Sequence, residues 1–246
     1  MQSESLRPSA SDSLIDNVAD WLMAQALVPE AGLEELVAGC CTRLAAAGIP
    51  LWRGNVSFRT LHPLFEAMSH TWRRDSGIKT VGFEHRPGDA PNPLRQSPHF
   101  YMIENRIPFL RRRLTGEEAM LDFPVLEEFR DEGATDYLAY LVAFNEAGTD
   151  GIIGSWTTDR PSGFSERDIR SLMRIQSRLA VACKVTIKEQ IAENIVTTYL
   201  GRNTGRRVLS GHIMRGDRET IHAVIWYSDL RGSTRLAHSL APDDYL

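Results

Sequence analysis

The sequence predicts an α+β fold: an antiparallel sheet flanked by helices, then a long signalling helix, then an incomplete further unit that opens with a strand. Three observations predict it. Apolar residues recur at helical spacing over residues 13–47 and switch to alternation from residue 52. Two apolar runs, 137–144 and 151–158, flank a short polar connection. From Phe164 to Leu200 there is neither Gly nor Pro.

Composition sets the frame. The chain has 246 residues, 42% hydrophobic and 24% charged, which suits a folded core of one large domain or two small ones. The net charge of −4 argues against nucleic acid as a partner of the chain as a whole. No apolar run is long enough to span a bilayer, and the first twelve residues lack the order of a secretory signal. The expectation is therefore a cytoplasmic protein without a membrane partner. Three cysteines, the adjacent Cys40 and Cys41 and the distant Cys183, fit reduced thiols. Cys40 and Cys41 lack partners at metal-ligand spacing and read as core residues.

In chain order, residues 1–12 read as a flexible tail. Leu14, Val18, Trp21, Leu22 and Leu27 give residues 13–27 one apolar face, ended by Pro29 and Gly32. A second helix fits 33–47, with Leu33, Leu36, Val37, Cys40, Cys41 and Leu44 inward and Gly48 and Pro50 as stop signals. Val56, Phe58 and Thr60 alternate with Ser57 and Arg59, predicting a strand over 52–61. His62-Pro63 punctuates it, and 64–72 alternates again, so the two form a hairpin. Residues 80–85 read as a third strand and the Pro-rich 86–97 as a loop. Residues 99–104 fit a strand or a short helix. The run Arg111-Arg112-Arg113 reads as a solvated helix face rather than an anion site, and 125–129 as a helical turn.

Residues 137–144 are apolar enough for a strand buried on both faces, paired with 151–158 in the clearest hairpin of the chain. Phe164-Ser165-Glu166-Arg167-Asp168 opens the long helix: Ser165 and Asp168 form a capping box, and Phe164 can staple onto Ile169. Ile169, Leu172, Ile175, Leu179, Cys183, Ile187, Ile191 and Ile195 recur every three or four residues, compatible with a helix that packs on the sheet first and then leaves it to meet a partner. Residues 201–220 carry five Arg and three Gly and read as a basic, bendable connector.

Near the end, the run Ala223-Val-Ile-Trp-Tyr-Ser-Asp229-Leu-Arg-Gly-Ser-Thr234 reads as a buried strand that delivers Asp229 to a Gly turn, with a helix starting about Arg235. A carboxylate beside free backbone N–H groups suits a hard cation and phosphate. An ordinary strand with an Asp in its exit turn fits the same residues.

Two resemblances follow. The order of elements over 13–180 resembles a GAF-type sensory domain, with PAS-like domains as near neighbours. The run ending in Asp229-Leu-Arg-Gly-Ser-Thr234 resembles the opening strand of class III adenylate and guanylate cyclases, with Ser233 where Phe is usual. The segment Thr198-Tyr-Leu-Gly-Arg-Asn-Thr-Gly-Arg-Arg-Val-Leu-Ser-Gly211 is similar to the element that joins sensor to catalyst in bacterial members. These resemblances imply a flexible tail (1–12), a GAF-like sensory domain (13–180), a signalling helix (181–200), a basic transducing connector (201–220) and the truncated start of a catalytic domain (221–246).

By the cyclase resemblance, Asp229 and the Leu230 backbone carbonyl are metal ligands. Mg²⁺ or Mn²⁺ holds the triphosphate of ATP and activates the ribose 3′-hydroxyl. The second aspartate and the transition-state Asn and Arg are expected downstream. Residues 1–246 alone are therefore expected to make no cyclic nucleotide, ATP and GTP remain open, and a homodimer through the long helix is implied. The alternative is a non-catalytic small-molecule-binding or interaction module with a structural C-terminal strand.

The sensor's ligand stays unnamed. Among its aromatic and histidine residues, which also include His62, His85, His99 and Phe100, the pocket candidates are Trp52, Phe58, His70, Trp72 and Trp156. Haem on one of the histidines, or a tetrapyrrole on Cys40 or Cys41, is weighed against ordinary core packing, which is preferred.

Overall fold

Two amphipathic helices open the chain; the first buries Ile15, Val18, Ala19 and Leu22, whereas Leu14 and Leu27, expected on its inward face, are exposed, because Ile15 takes the inward place at its start. In the computed structural model, which describes residues 10–28, 32–85, 93–146, 150–214, 222, 224–229 and 231–241, the two helices are α1 (Ala10–Gln25) and α2 (Leu33–Ala46). The six predicted inward residues of α2 are all buried. Glu34 and Glu35 sit in its first turn, where they complement the helix dipole. The predicted tail is shorter at its inner end, because residues 10–12 are already helical. A first turn needs no apolar residue, so periodicity starts a helix late. Residues 1–9 lie outside the described part of the chain.

Six strands follow: β1 (Arg53–Arg59), β2 (Phe65–Arg73), β3 (Gly77–Glu84), β4 (Phe109–Arg113), β5 (Asp136–Ala143) and β6 (Gly151–Thr158). They form one sheet in the order β3-β2-β1-β6-β5-β4, antiparallel at every step. Both expected hairpins form, β1 with β2 and β5 with β6. Between β3 and β5 the chain adds a 3-10 turn (Pro93–Gln96), α3 (Pro98–Asn105) and α4 (Pro124–Asp131). The long helix α5 (Glu166–Leu200) follows the sheet, then α6 (Arg202–Leu209) and α7 (Ser233–Ser239). This is the predicted fold class: a six-stranded antiparallel sheet flanked by helices, with a long helix after it. Among the described residues, no helix is long and apolar enough to cross a membrane.

Strand alternation gives the sheet two unlike faces. Gly54, Val56 and Phe58 of β1 face α1, α2 and α5 together with Trp72, Leu138, Tyr140, Ile152 and Trp156, and this helix side holds the larger core. A smaller core on the second face gathers Trp52, Met102, Leu110, Leu126, Phe129, Tyr137, Ala139 and Ile153 under α3 and α4. The three cysteines are free and buried in the helix-side core. Burial raises all three thiols, Cys183 to about 12, so they pack rather than react.

Two segments depart from expectation. Arg111, Arg112 and Arg113 lie on strand β4, not on a helix, because each finds an acid across the fold. Arg111 and Arg113 reach the fully buried Asp136 at 2.7 and 3.4 Å, while Arg112 points to the other face and pairs with Asp122 at 2.7 Å. Among the described residues, 224–227 of the predicted strand form no strand, and Ala223 lies outside the described part. Val224, Ile225, Trp226 and Tyr227 are exposed and unpaired among the described residues. An apolar run becomes a strand only when a neighbour satisfies its backbone N–H and C=O groups. The basic connector contains α6 and is not wholly irregular; residues 215–220 lie outside the described part. The helix expected near Arg235 is α7.

Asp136 also fixes where α5 begins. Its carboxylate accepts the Phe164 N–H at 3.0 Å, and Arg111 donates to the Phe164 carbonyl at 2.9 Å. Between these partners the chain turns at Gly163, whose φ of +69° suits glycine and whose missing Cβ makes room for Arg113 and Asp136. The Ser165–Asp168 capping box then starts the helix as predicted, and Arg160 pairs with Asp168. Replacing Asp136 by Ala removes the carboxylate that two arginines and an N–H share, leaving the arginines with the carbonyls of Phe164 and Ser162. Chemical denaturation of Asp136→Ala should show a loss of about 3–5 kcal/mol, the cost of breaking a buried ion pair by removing one partner.

Candidate functional site

The five pocket candidates taken from the sequence do not share one site. Phe58, Trp72 and Trp156 belong to the helix-side core. His70 points the same way from β2, stacks on Phe58 at 5.7 Å and meets Thr80 Oγ1 at 2.8 Å. Burial lowers its pKa, opposed in part by Glu34. Only Trp52 lies on the second face.

That second face carries a polar cluster instead. Alternation along β1 places Arg53, Asn55 and Ser57 there, beside Ser69 and Thr71 of β2 and Ser155 of β6. The Asn55 side-chain amide donates to Ser69 Oγ at 2.8 Å and Thr71 Oγ1 at 2.9 Å, and Ser57 Oγ donates to Ser69 Oγ at 2.9 Å. Arg53 Nη1 donates to Ser155 Oγ at 3.1 Å, and its guanidinium lies 4.8 Å from the centre of the Phe129 ring. Tyr137, on β5, interacts with Arg53 and hydrogen-bonds with Ser155. His99 enters from α3, the helix started by the Ser97 cap and Pro98, and its ring is held to the backbone of Gly154. The ring is half-buried, but its Nε2 is fully enclosed and has no partner among the described residues.

Electrostatics mark the cluster as unusual. Burial lowers Arg53 to about 10, with Tyr137 and Glu132 opposing and Arg73 reinforcing the shift. Burial and then the Arg53 charge push His99 down to about 4, so it is neutral at pH 7. Burial raises Tyr137 to about 12. The cluster thus holds one cation, one neutral imidazole and two hydroxyls at pH 7. Arg53 and the hydroxyls can donate to an oxygen acceptor, whereas the Nε2 of neutral His99, whose ring is held to the Gly154 backbone, is itself an acceptor. His99 stands among the histidines noted in the sequence, but Arg53 was missed. Its only signal was period two: polar Arg53, Asn55 and Ser57 alternate with Gly54, Val56 and Phe58.

Asp229 is exposed, and Leu230 lies outside the described residues. Among the described residues, no three His, Cys, Asp or Glu side chains gather where a metal ion could be held. A lone exposed carboxylate does not make a two-metal site.

No family model matches the chain, and no curated protein matches it by sequence. Among solved structures it is similar to the phycoerythrobilin-bound GAF domain of a cyanobacterial phytochrome, at 13% identity and a TM-score of 0.46 over 73% of this chain and 99% of that one. The GAF domain of a two-component sensor histidine kinase from Bacillus halodurans is similar at 14% identity and a TM-score of 0.37, over 76% and 96%. The GAF domain of a phosphoenolpyruvate-protein phosphotransferase from Coxiella burnetii is similar at 14% and 0.41, over 72% and 95%. Likenesses this distant carry over no ligand and no activity.

The shifted histidines set a pH dependence. A His whose folded pKa lies below its unfolded value of about 6.5 adds stability that is fully present above pH 6.5 and is lost as pH falls towards the folded pKa. His99 and His70 act in the same direction. Urea titrations should therefore show stability falling from pH 6.5 to pH 4. His99→Gln should flatten that fall by roughly 1–3 kcal/mol, the range allowing for screening of a half-buried ring.

Proposed function

We propose that this chain is the sensory and regulatory region of a class III adenylate or guanylate cyclase, with a ligand site on the second face of its sheet and α5 as the output. The observation that carries the reading is the course of α5. Ile169, Leu172, Ile175, Leu179, Cys183 and Ile187 are buried against the domain, whereas Ile191 is half-buried and Ile195 is exposed. The same unbroken helix therefore leaves the core after Ile187 and runs on to the segment that resembles a cyclase transducing element. There α6 turns back at Gly201, and Gly205 packs against Thr197 so closely that a Cβ would lie 3.0 Å from its methyl group.

The exposed side of α5 suits a second copy of itself. Val181, Val185, Ala192, Ile195 and Tyr199 are exposed and follow a heptad spacing, with Lys188 at the one polar step. A parallel pair of these helices would bring two output segments together, as an active site formed between two cyclase domains requires. An effector acts on such a pair only through different affinity for its two arrangements. A non-catalytic binding module uses the polar cluster equally well but gives no role to Asp229.

Two measurements test the reading. Sedimentation of the chain at micromolar concentration should give a dimer, and Val181→Glu with Val185→Glu should give a monomer of unchanged thermal stability; a wild-type monomer refutes dimerisation through α5. The protein in its full natural length should convert ATP or GTP to the cyclic nucleotide with Mn²⁺ or Mg²⁺. Asp229→Ala should slow that by about 100-fold or more, as loss of a metal ligand does. If neither nucleotide is turned over, the binding-module reading replaces this one.

A further inference from the structure

We propose that Arg53, Tyr137 and Ser155 form the seat for the carboxylate of a small organic monoanion whose apolar body lies against Trp52 and Phe129. This rests on reading the second face as the ligand face, and it names the class of ligand.

Arg53 differs from the other arginines around the sheet. Arg73 is paired with Glu132, Arg74 with Asp159, Arg112 with Asp122, and Arg111 and Arg113 with Asp136. Among the described residues Arg53 has no carboxylate in ion-pair reach and rests on a serine hydroxyl and an aromatic face. Glu132, which attracts it from a distance, is held by Arg73 at 2.6 Å. A buried guanidinium without an anion is costly, and an anion brought to it is strongly favoured.

The neighbouring groups sharpen the choice. The hydroxyls of Ser155 and Tyr137 stand beside Arg53, whereas the enclosed Nε2 of neutral His99 is an acceptor and takes no part in holding an anion. The planar fork of an arginine matches the two oxygens of a carboxylate. Charge decides between anions. One full cation balances a monoanion, whereas a phosphate dianion would leave a negative charge uncompensated in a desolvated site. The amide of Asn55 is already committed to Ser69 and Thr71, so the polar floor beyond Ser155 is closed. What remains around the seat is aromatic: Trp52 is buried, and Phe129 stacks with Tyr137 at 6.0 Å. Arg53 is itself half-buried and not sealed off as a residue.

The test is calorimetry and NMR on the 246-residue chain at pH 7 with benzoate, phenylacetate and hexanoate, and with benzamide and inorganic phosphate as the neutral and dianionic comparisons. At least one of the three carboxylates should bind at a single site and move the His99 imidazole resonances. Benzamide should bind at least about tenfold more weakly than benzoate, and Arg53→Gln should lose about tenfold or more in carboxylate affinity. Ser155→Ala, a smaller change, should weaken binding in the same direction if Arg53→Gln does not fold. The proposal is overturned if none of the carboxylates binds, if benzamide equals benzoate, if phosphate displaces them, or if a folded Arg53→Gln protein binds unchanged. Binding is read without any nucleotide turnover, so failure of the cyclase reading and failure of this one are separate results.

Discussion

The buried carboxylate of Asp136 is the point on which the two halves of the domain depend. It has zero exposure and gathers two arginines from β4 and the backbone N–H of Phe164. These contacts join the edge strand, its neighbour β5 and Phe164, the residue before the Ser165 cap of α5. A charge buried this deeply is tolerated only when its acceptor sites are filled, so the geometry allows little freedom. The start of α5 is thereby fixed relative to the sheet, and its apolar stripe is aimed at the helix-side core. Arg111 is held in its charged form chiefly by the hydrogen bond to Asp136, which raises its pKa further.

With α1, α2 and α5 committed to one face, the other face is free to carry chemistry. The division is written in β1 as a period of two. Val56 and Phe58 go to the helices, and Arg53, Asn55 and Ser57 go to the opposite side. The apolar half of this pattern was legible in the sequence, because apolar residues at alternate positions have one explanation. The polar half was not, since Arg, Asn and Ser at alternate positions usually mean solvent. Only the arrival of α3 with His99, and of α4 with Phe129, makes Arg53 an interior residue. Both are tertiary events contributed by residues tens of positions away.

The same distinction explains the other gains and losses. The faces of α2, the β5–β6 hairpin and the capping box of α5 depend on neighbours in sequence, and all were legible. The helix at 98–105 also had local signals, Ser97 as cap and Pro98 at its first turn, while its unbroken apolar run 100–103 has no period to decide between strand and helix. The strand character of Arg111 to Arg113 had no local signal, because their partners Asp122 and Asp136 lie 10 to 25 residues onward. The run at 223–227 shows the converse: its residues favour a strand, but a strand exists only with a neighbour to pair with.

A ligand at Arg53 would be separated from α2 and α5 by a single layer of backbone. Residues adjacent on a strand point to opposite faces, so Arg53 and Gly54, and likewise Ser155 and Trp156, move together. Gly54 is one point where the helix side presses closely on that layer. A Cβ there would run into Cys41 Sγ and lie 3.1 Å from the Trp156 ring, so the backbone of β1 rests directly on α2 and on Trp156. Trp156 in turn stacks on Tyr140 at 5.4 Å, and Tyr140 lies close enough to Cys40, Cys41 and Cys183 to feel all three. Cys183 is on α5, one turn before the helix leaves the core at Ile187. A close-packed interior of this kind shifts as a unit rather than absorbing small displacements. Under the proposed reading, the sheet between Arg53 and Cys183 is therefore the element through which occupancy of one face would bias the helix on the other.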